Sequence, residues 1–182
     1  MNTIRPQTVG LPYRLLALSL ALVGGVLGIM GAFIQELMSD GGGLALAIVG
    51  APIIEEILKP AGIYILLIRW PQAARSQVYI AVLTAISGLS FGLIESLIYT
   101  NLYFPEHGDA FVAYRFTVPI LMHATTSFIV GLGINQKLLA WAQGRMPLPR
   151  ATRRFFIAGM VAHAVFNITA LILTVVGRLD FE

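Results

Sequence analysis

The sequence predicts an all-α fold: a polytopic membrane bundle of about five transmembrane helices, forming one domain over residues 1–182. Two observations lead to this prediction. Hydrophobic residues make up 57% of the chain and charged residues only 12%, whereas a soluble domain carries about 25% charged residues. Several apolar runs exceed twenty residues. Such runs can cross a bilayer as helices, while the strands of membrane barrels are short and alternating.

Five apolar runs define the predicted spans. Arg14 opens the first run, which we expect to be a retained span rather than a signal peptide, because it is long and no clean cleavage site follows it. Its spaced glycines suit close helix contact. The later runs are bounded in turn by a glycine-rich loop, a basic turn, an acidic loop and a basic loop. The five spans are residues 14–33, 44–68, 78–103, 116–141 and 155–176.

The charges outside the spans predict the orientation. The N-terminal lead, the loops after spans two and four, and Arg14 at the start of span one together hold eight arginines and no acid, whereas the other loops and the tail hold six acids and two arginines. The positive-inside rule then places the N-terminus in the cytoplasm and the C-terminus outside. The net charge of +3 comes without a basic patch interleaved with aromatics, so the expected surroundings are lipid and no nucleic acid is expected to bind.

The second span carries three ionisable residues whose transfer into a membrane costs free energy, Glu55, Glu56 and Lys59. Three ionised groups near mid-membrane would cost as much as ~8–10 kcal/mol if left unpaired, so we expect them to face other polar groups. Lys59 follows the two glutamates at i+4 and i+3, spacings at which it can balance either charge. Pro52 and Pro60 bracket this turn and are expected to open the helix locally beside a water-lined cavity.

Three later spans add polar groups at a matching depth. Counting ~1.5 Å per helical residue, we place Glu95, His123, His163 and Asn167 with the acidic pair, between the midplane and the outer leaflet. Each of these residues alone suits an interhelical hydrogen bond. Their coincidence in one layer predicts a functional site, with Lys59 as its charge-balancing residue and with the candidate catalytic residues Glu55, Glu56, Glu95, His123, His163 and Asn167.

This set of side chains suits hydrolysis of a peptide bond without a covalent nucleophile. Two adjacent carboxylates in a low dielectric do not both ionise cheaply, so one should hold a proton beside an ionised neighbour. A carboxylate or an imidazole can deprotonate water. Asn167 and a second histidine can donate to the oxyanion that follows the attack.

Several alternatives stay open at this point. No cofactor is expected, yet His123, His163 and Glu55 form a His₂Glu set that could hold zinc. The run Gly88–Gly92 matches the serine-hydrolase elbow, which would pair Ser90 with His163, although the elbow requires a strand-to-helix turn. An ion- or proton-coupled carrier would also use intramembrane carboxylates, but no inverted repeat is seen. A silent receptor or scaffold is the remaining alternative.

Four motifs resemble those of a known family, the PrsW family of intramembrane proteases. Glu55–Lys59 resembles its EExxK motif, and Phe91–Glu95 its FxxxE motif. His123 and then His163–Asn167 are similar to its later histidine motifs, of the HxxxN type. The family shares a superfamily with the type II CAAX prenyl endopeptidases and the bacteriocin-processing Abi proteins. The CAAX branch has His at the position of Glu95 and Arg further along where this chain has Lys59, which disfavours prenyl-protein processing.

The resemblance implies a glutamic-type membrane protease. Glu55 or Glu56 would activate water, Glu95 and His123 would help to hold it, and His163 with Asn167 would bind the oxyanion. The implied substrates are membrane-anchored proteins, such as regulators of the anti-sigma-factor type, which are cleaved near the outer face. The implied location is the bacterial cytoplasmic (inner) membrane.

Overall fold

A computed structural model describes residues 10–38, 43, 46–177 and 179. Within these residues every regular element is a helix, so the predicted all-α fold is confirmed. Short π-helical segments cover Leu46–Gly50 and Tyr99–Tyr103, and a 3₁₀ turn covers Pro71–Ala73. The α-helices are α1 (Leu11–Met38), α2 (Ala51–Leu58), α3 (Ala61–Arg69), α4 (Gln77–Ile98), α5 (Asp109–Arg115), α6 (Val118–Gly131), α7 (Gln136–Ala142) and α8 (Arg150–Val175).

Three helical stretches of the described chain are long and apolar enough to cross a membrane: Leu11–Met38, Gln77–Tyr103 and Arg150–Val175. A fourth is added if Asp109–Gly131 and Gln136–Ala142, which meet at 77°, are counted as one span. The membrane bundle is therefore confirmed, and the count of five spans stays a prediction. So does the orientation, because most of the N-terminal lead and C-terminal tail lies outside the described residues.

The described part of the second predicted span is broken at Pro60: the π-helical segment Leu46–Gly50 and α2 precede the break, and α3 follows it. Pro60 has no N–H with which to continue the hydrogen-bond ladder, so α2 ends at Leu58 and α3 begins at Ala61. Only Lys59 and Pro60 separate the two helices. The Pro60 carbonyl accepts from Ile63 N–H at 2.8 Å and so begins the hydrogen bonding of α3. The break leaves Lys59 at a helix end, beside the two glutamates of α2.

The chain also bends sharply after α6. Asn135 caps α7 by accepting the N–H groups of Lys137 at 2.9 Å and Leu138 at 3.3 Å, the usual role of Asn at this position. Gln77 donates to the carbonyls of Gly131 and Ile134, both at 2.9 Å. The bend is therefore satisfied in hydrogen bonding, and it separates α6 from α7.

Helix α4 is the central element of the bundle. Half of its most apolar stretch is buried, against 28% in α1 and 11% in α8. It packs against α1 and α6, while α8 packs against α6. The apolar core joins α1, α3 and α4 to the bend between α6 and α7, near the ends predicted to be cytoplasmic, and includes Ala17, Ile63, Leu66, Leu83 and Ile134. The opposite half of the bundle is left for polar side chains.

Gly88 sets the distance between α4 and α6. A Cβ atom at this position would overlap the carbonyl oxygen of His123, and it would lie 2.7 Å from Ser127 Oγ. The small residue therefore lets the two backbones approach closely, as in other membrane helix pairs. This contact holds His123 against the helix that carries Glu95.

Gly88→Ala should destabilise the protein by about 1–3 kcal/mol, the usual cost of overpacking a well-filled interior. The physical reason is that α6 must move away from α4. Thermal unfolding in detergent measures the change. Gly108→Ala is the matched control, because nothing lies within 4 Å of a Cβ added there. Equal unfolding temperatures for the two variants would contradict the prediction.

Candidate active site

The ammonium group of Lys59 lies at the centre of the polar cluster. Lys59 is fully buried, and its Nζ lies 2.8 Å from Glu56 Oε1, 3.2 Å from Glu55 Oε2 and 2.8 Å from His123 Nδ1. The ring of Phe91 covers it, with 4.2 Å between Nζ and the ring centroid. A buried charge needs such compensation on several sides. The lysine therefore lies between both carboxylates, as its spacing predicts.

Glu56 is held on all sides by hydrogen-bond donors. Its Oε1 lies 2.8 Å from Lys59 Nζ, 2.9 Å from Thr126 Oγ1 and 3.0 Å from His163 Nδ1. Ser127 Oγ donates to the other oxygen at 3.4 Å. The side chain is fully buried and is not among the residues that line the cavity. Glu56 thus links α2 to α6 and α8 through hydrogen bonds.

Glu55 faces the cavity instead. Its Oε2 lies 3.2 Å from Lys59 Nζ, but this approach lacks hydrogen-bond geometry, and Oε2 has no hydrogen-bond partner among the described residues. The same oxygen lies 3.8 Å from His163 Nε2. This separation is too long for a direct hydrogen bond, and Oε2 itself is buried. Of the acidic pair, only Glu55 lines the cavity.

His123 lies between a lysine and a carboxylate. Its Nε2 is 3.0 Å from Glu95 Oε2, and Arg115 Nη2 donates to the same oxygen at 2.8 Å. An ionised carboxylate only accepts hydrogen bonds, so Nε2 carries the ring hydrogen and Nδ1 accepts from Lys59. This assignment follows from the hydrogen-bond partners. The result is a continuous chain of contacts from Lys59 through His123 and Glu95 to Arg115.

His163 is oriented by the same reasoning. Its Nδ1 donates to Glu56, which leaves Nε2 without a hydrogen in the neutral ring and turned towards Glu55. The ring lies edge-on to His123, with 5.0 Å between centroids. Asn167, one turn later on α8, lines the same cavity.

A cavity of about 720 Å³ opens beside the cluster. Residues from α1, α2, α4, α6 and α8 line it, so it lies between helices, the usual position of a site in a bundle. The structure brings five of the six candidate catalytic residues into direct contact, and the sixth, Asn167, lines the shared cavity. Their chemical roles remain a prediction.

The sequence interpretation missed three contributors: Arg115, Thr126 and Ser127. Two of them carried a usable signal, because Thr126 and Ser127 follow His123 at i+3 and i+4 and therefore share its helix face. Arg115 is the one arginine of an acidic loop, and this alone does not indicate a role in the site. Its contact with Glu95 links residues twenty positions apart, which no local pattern reveals.

The serine alternative does not fit the observed positions. Ser90 lies within the continuous helix α4, not on a strand-to-helix turn. Its Oγ donates to the Leu22 carbonyl of α1 at 3.0 Å, and Ser90 is not among the cavity-lining residues. The structure therefore does not bring Ser90 to His163.

The donor set of the cavity fits a zinc ion. One ligand atom from each of Glu55, His123 and His163 lies within 4.8 Å of the others. The other ring nitrogen of each histidine is hydrogen-bonded to a carboxylate, His163 to Glu56 and His123 to Glu95. This arrangement is common around metal-ligating histidines. The nitrogens left for a metal are Nε2 of His163 and Nδ1 of His123, and the latter contacts the Lys59 ammonium. An imidazole nitrogen has one lone pair, so a zinc ion would bind His123 only after Lys59 Nζ had moved away from Nδ1.

The structure is an all-helical membrane bundle with carboxylates and imidazoles around a cavity, an arrangement compatible with an intramembrane hydrolase. The family model described as "PrsW family intramembrane metalloprotease" matches residues 11–179. The chain belongs to this family, which supports an intramembrane protease function. No curated protein matches the chain, and neither does any solved structure. The family description supports the zinc alternative that the sequence left open.

Proposed function

We propose that the protein hydrolyses peptide bonds of membrane-anchored protein substrates, with Glu55 as the base that activates water. One observation carries this proposal. Glu55 alone of the acidic pair lines the cavity, and its Oε2 lies 3.8 Å from His163 Nε2 with no hydrogen-bond partner among the described residues. A water between these two acceptors would give one hydrogen to each, which leaves its lone pair free for attack.

The proposed remaining steps use Glu55 and Asn167, which both line the cavity. Glu55 removes a proton as the water oxygen bonds to the scissile carbonyl carbon, and the side-chain amide of Asn167 donates to the oxyanion. Glu55 then passes its proton to the amide nitrogen. The C–N bond breaks, releasing an amine and a carboxyl product. Glu56 and Lys59 act by positioning, because they hold His163 and His123 through the contacts described above.

A zinc ion, when bound, would be held by Glu55, His123 and His163, and it would polarise the carbonyl and make its bound water more acidic. The two types of protease make opposite predictions for metal removal. In the glutamic type, dialysis against a chelator should leave cleavage within about twofold of the untreated rate. Elemental analysis of the purified protein, measured beside its activity, is the check. Parallel loss of zinc and of cleavage, restored by added zinc, would instead establish the metal-dependent type.

The proposed substrates are single-span or otherwise membrane-tethered regulators, of the anti-sigma-factor type. The proposed cleavage site lies in the half of the membrane opposite the apolar core, because the cavity opens there. With the orientation predicted from the charges, this half is the outer one, in a bacterial cytoplasmic membrane. Mass spectrometry of the products, combined with accessibility labelling of the termini, would locate the cut.

A reconstituted cleavage assay tests the proposed function with a matched pair of variants. His163→Ala should lower cleavage of a labelled single-span peptide by about 10²–10⁴-fold, because it removes one of the two groups that hold the water. Ser90→Ala should leave the rate unchanged, since Ser90 lies outside the cavity. Full activity in His163→Ala, or loss of activity in Ser90→Ala, would overturn the proposed mechanism.

A further inference from the structure

The cavity extends beyond the acidic residues to a ring of aromatic side chains that hydrolysis itself does not use. Phe104 is the hub of this ring. Its centroid lies 5.9 Å from that of Tyr99, 5.1 Å from that of His107 and 5.8 Å from that of Phe111. All four side chains line the cavity. These four side chains form the aromatic mouth of the cavity: Tyr99, Phe104, His107 and Phe111.

Arg115 connects the aromatic mouth to the polar cluster. Its guanidinium lies over Tyr99, 3.9 Å from the ring centroid, and its Nη2 donates to Glu95 at 2.8 Å. Glu95 in turn contacts His123. The mouth is therefore two hydrogen bonds away from a histidine of the active site. An extended peptide advances about 3.3–3.6 Å per residue, so one bound chain can reach both places.

One donor of Arg115 has no partner. The side chain is only 9% exposed and lines the cavity, yet its Nε–H finds no acceptor within the described part of the chain. Buried donors are rarely left unpaired, because the loss of their hydrogen bond to water is costly. Because Arg115 lines the cavity, a molecule bound there would supply the missing acceptor once a small movement of the side chain exposed Nε–H.

We propose that the aromatic mouth and Arg115 Nε form a substrate subsite. The mouth binds a large apolar or aromatic side chain of the membrane-anchored peptide, and Nε–H donates to a main-chain carbonyl beside it. An apolar side chain suits the ring edges better than a cation does, because the guanidinium already covers the face of Tyr99. This inference rests on the proposed function, since it names the kind of sequence that the protease selects.

Binding to an inactive variant tests the subsite separately from cleavage. The probes are labelled single-span Leu–Ala peptides, each with one Phe at a successive position in the third of the span next to the mouth. They are titrated onto full-length Glu55→Gln in detergent micelles. We expect one position of Phe to bind about tenfold more tightly than the parent peptide. Equal binding of all the peptides would overturn the proposal.

Phe104→Ala, added to the same inactive variant, should remove the preference for that position. Phe104 is 38% exposed, so its truncation should not unfold the protein, and thermal unfolding checks this. Leu102→Ala is the matched control, because Leu102 is 72% exposed and does not line the cavity. A preference that survives Phe104→Ala would show that the rings only pack against each other.

Arg115→Lys tests the free donor. Lysine keeps a positive charge for Glu95 but has no group equivalent to Nε–H. In the active protein we expect KM to rise about tenfold, with a smaller fall in kcat because the Nη2 contact with Glu95 is also altered. An unchanged KM would overturn the role of the donor. If wild-type protein failed to cleave any peptide, the proposed function would fail, while the binding preference in Glu55→Gln would still decide the subsite.

Discussion

Glu55→Gln should lower peptide cleavage by about 10²–10⁴-fold, the usual contribution of a general base, while the protein stays folded. Glutamine keeps the size of the side chain but does not take a proton from water. The fold should tolerate the change, because Glu55 Oε2 has no hydrogen-bond partner within the described chain. The rate is measured with reconstituted protein and a labelled single-span peptide, and the fold by thermal unfolding.

Glu56→Gln is the control that the structure offers, one residue away. It should act mainly on stability, because an amide does not accept from Lys59, Thr126 and His163 as the carboxylate does. A buried donor left without an acceptor costs about 1–3 kcal/mol. If Glu56→Gln instead abolished cleavage at full stability while Glu55→Gln remained active, the two glutamates would have to exchange roles.

Lys59→Met should be among the most destabilising single changes in the protein. Methionine fills a similar volume, but the ammonium contacts Glu55, Glu56 and His123. Its removal leaves buried carboxylates uncompensated, and breaking a buried ion pair in this way typically costs about 3–5 kcal/mol. Thermal unfolding in detergent, together with the yield of folded protein, measures the loss.

A double variant and a surface control make this prediction specific. Lys59→Met combined with Glu56→Gln should recover part of the lost stability, because it removes one charge of each sign. Lys137→Met should have no measurable effect, since Lys137 is exposed. Wild-type stability in the Lys59→Met single variant would show that the acidic pair does not depend on this lysine.

The helices could be predicted where the apolar pattern alone determines them. The fifth span was predicted at residues 155–176, and the corresponding helix α8 covers Arg150–Val175. The helix starts earlier than predicted because it includes the arginine-rich segment 150–154. In the second predicted span the helix breaks at Pro60, one of the two prolines expected to open it. Pro60 had marked the place of its break, but hydropathy does not register a missing N–H group.

The candidate site was predictable to the level of residue types, because each polar group inside an apolar span is expensive enough to require a partner. The partners themselves were harder to identify. Thr126 and Ser127 are short hydroxyl side chains that are common in membrane helices and carry little cost. Only their positions opposite Glu56 make them part of the site.

By itself, the sequence determined that this protein is a helical membrane bundle with a polar centre, since the bilayer penalises charge wherever a span places it. Its motifs also indicated the family. Only the tertiary structure distinguishes the surroundings of Glu55 and Glu56, which are neighbours of the same chemistry. Successive helical residues point about 100° apart, so one faces the cavity and the other faces the donors of α6 and α8. That difference arises from the packing of other helices around α2.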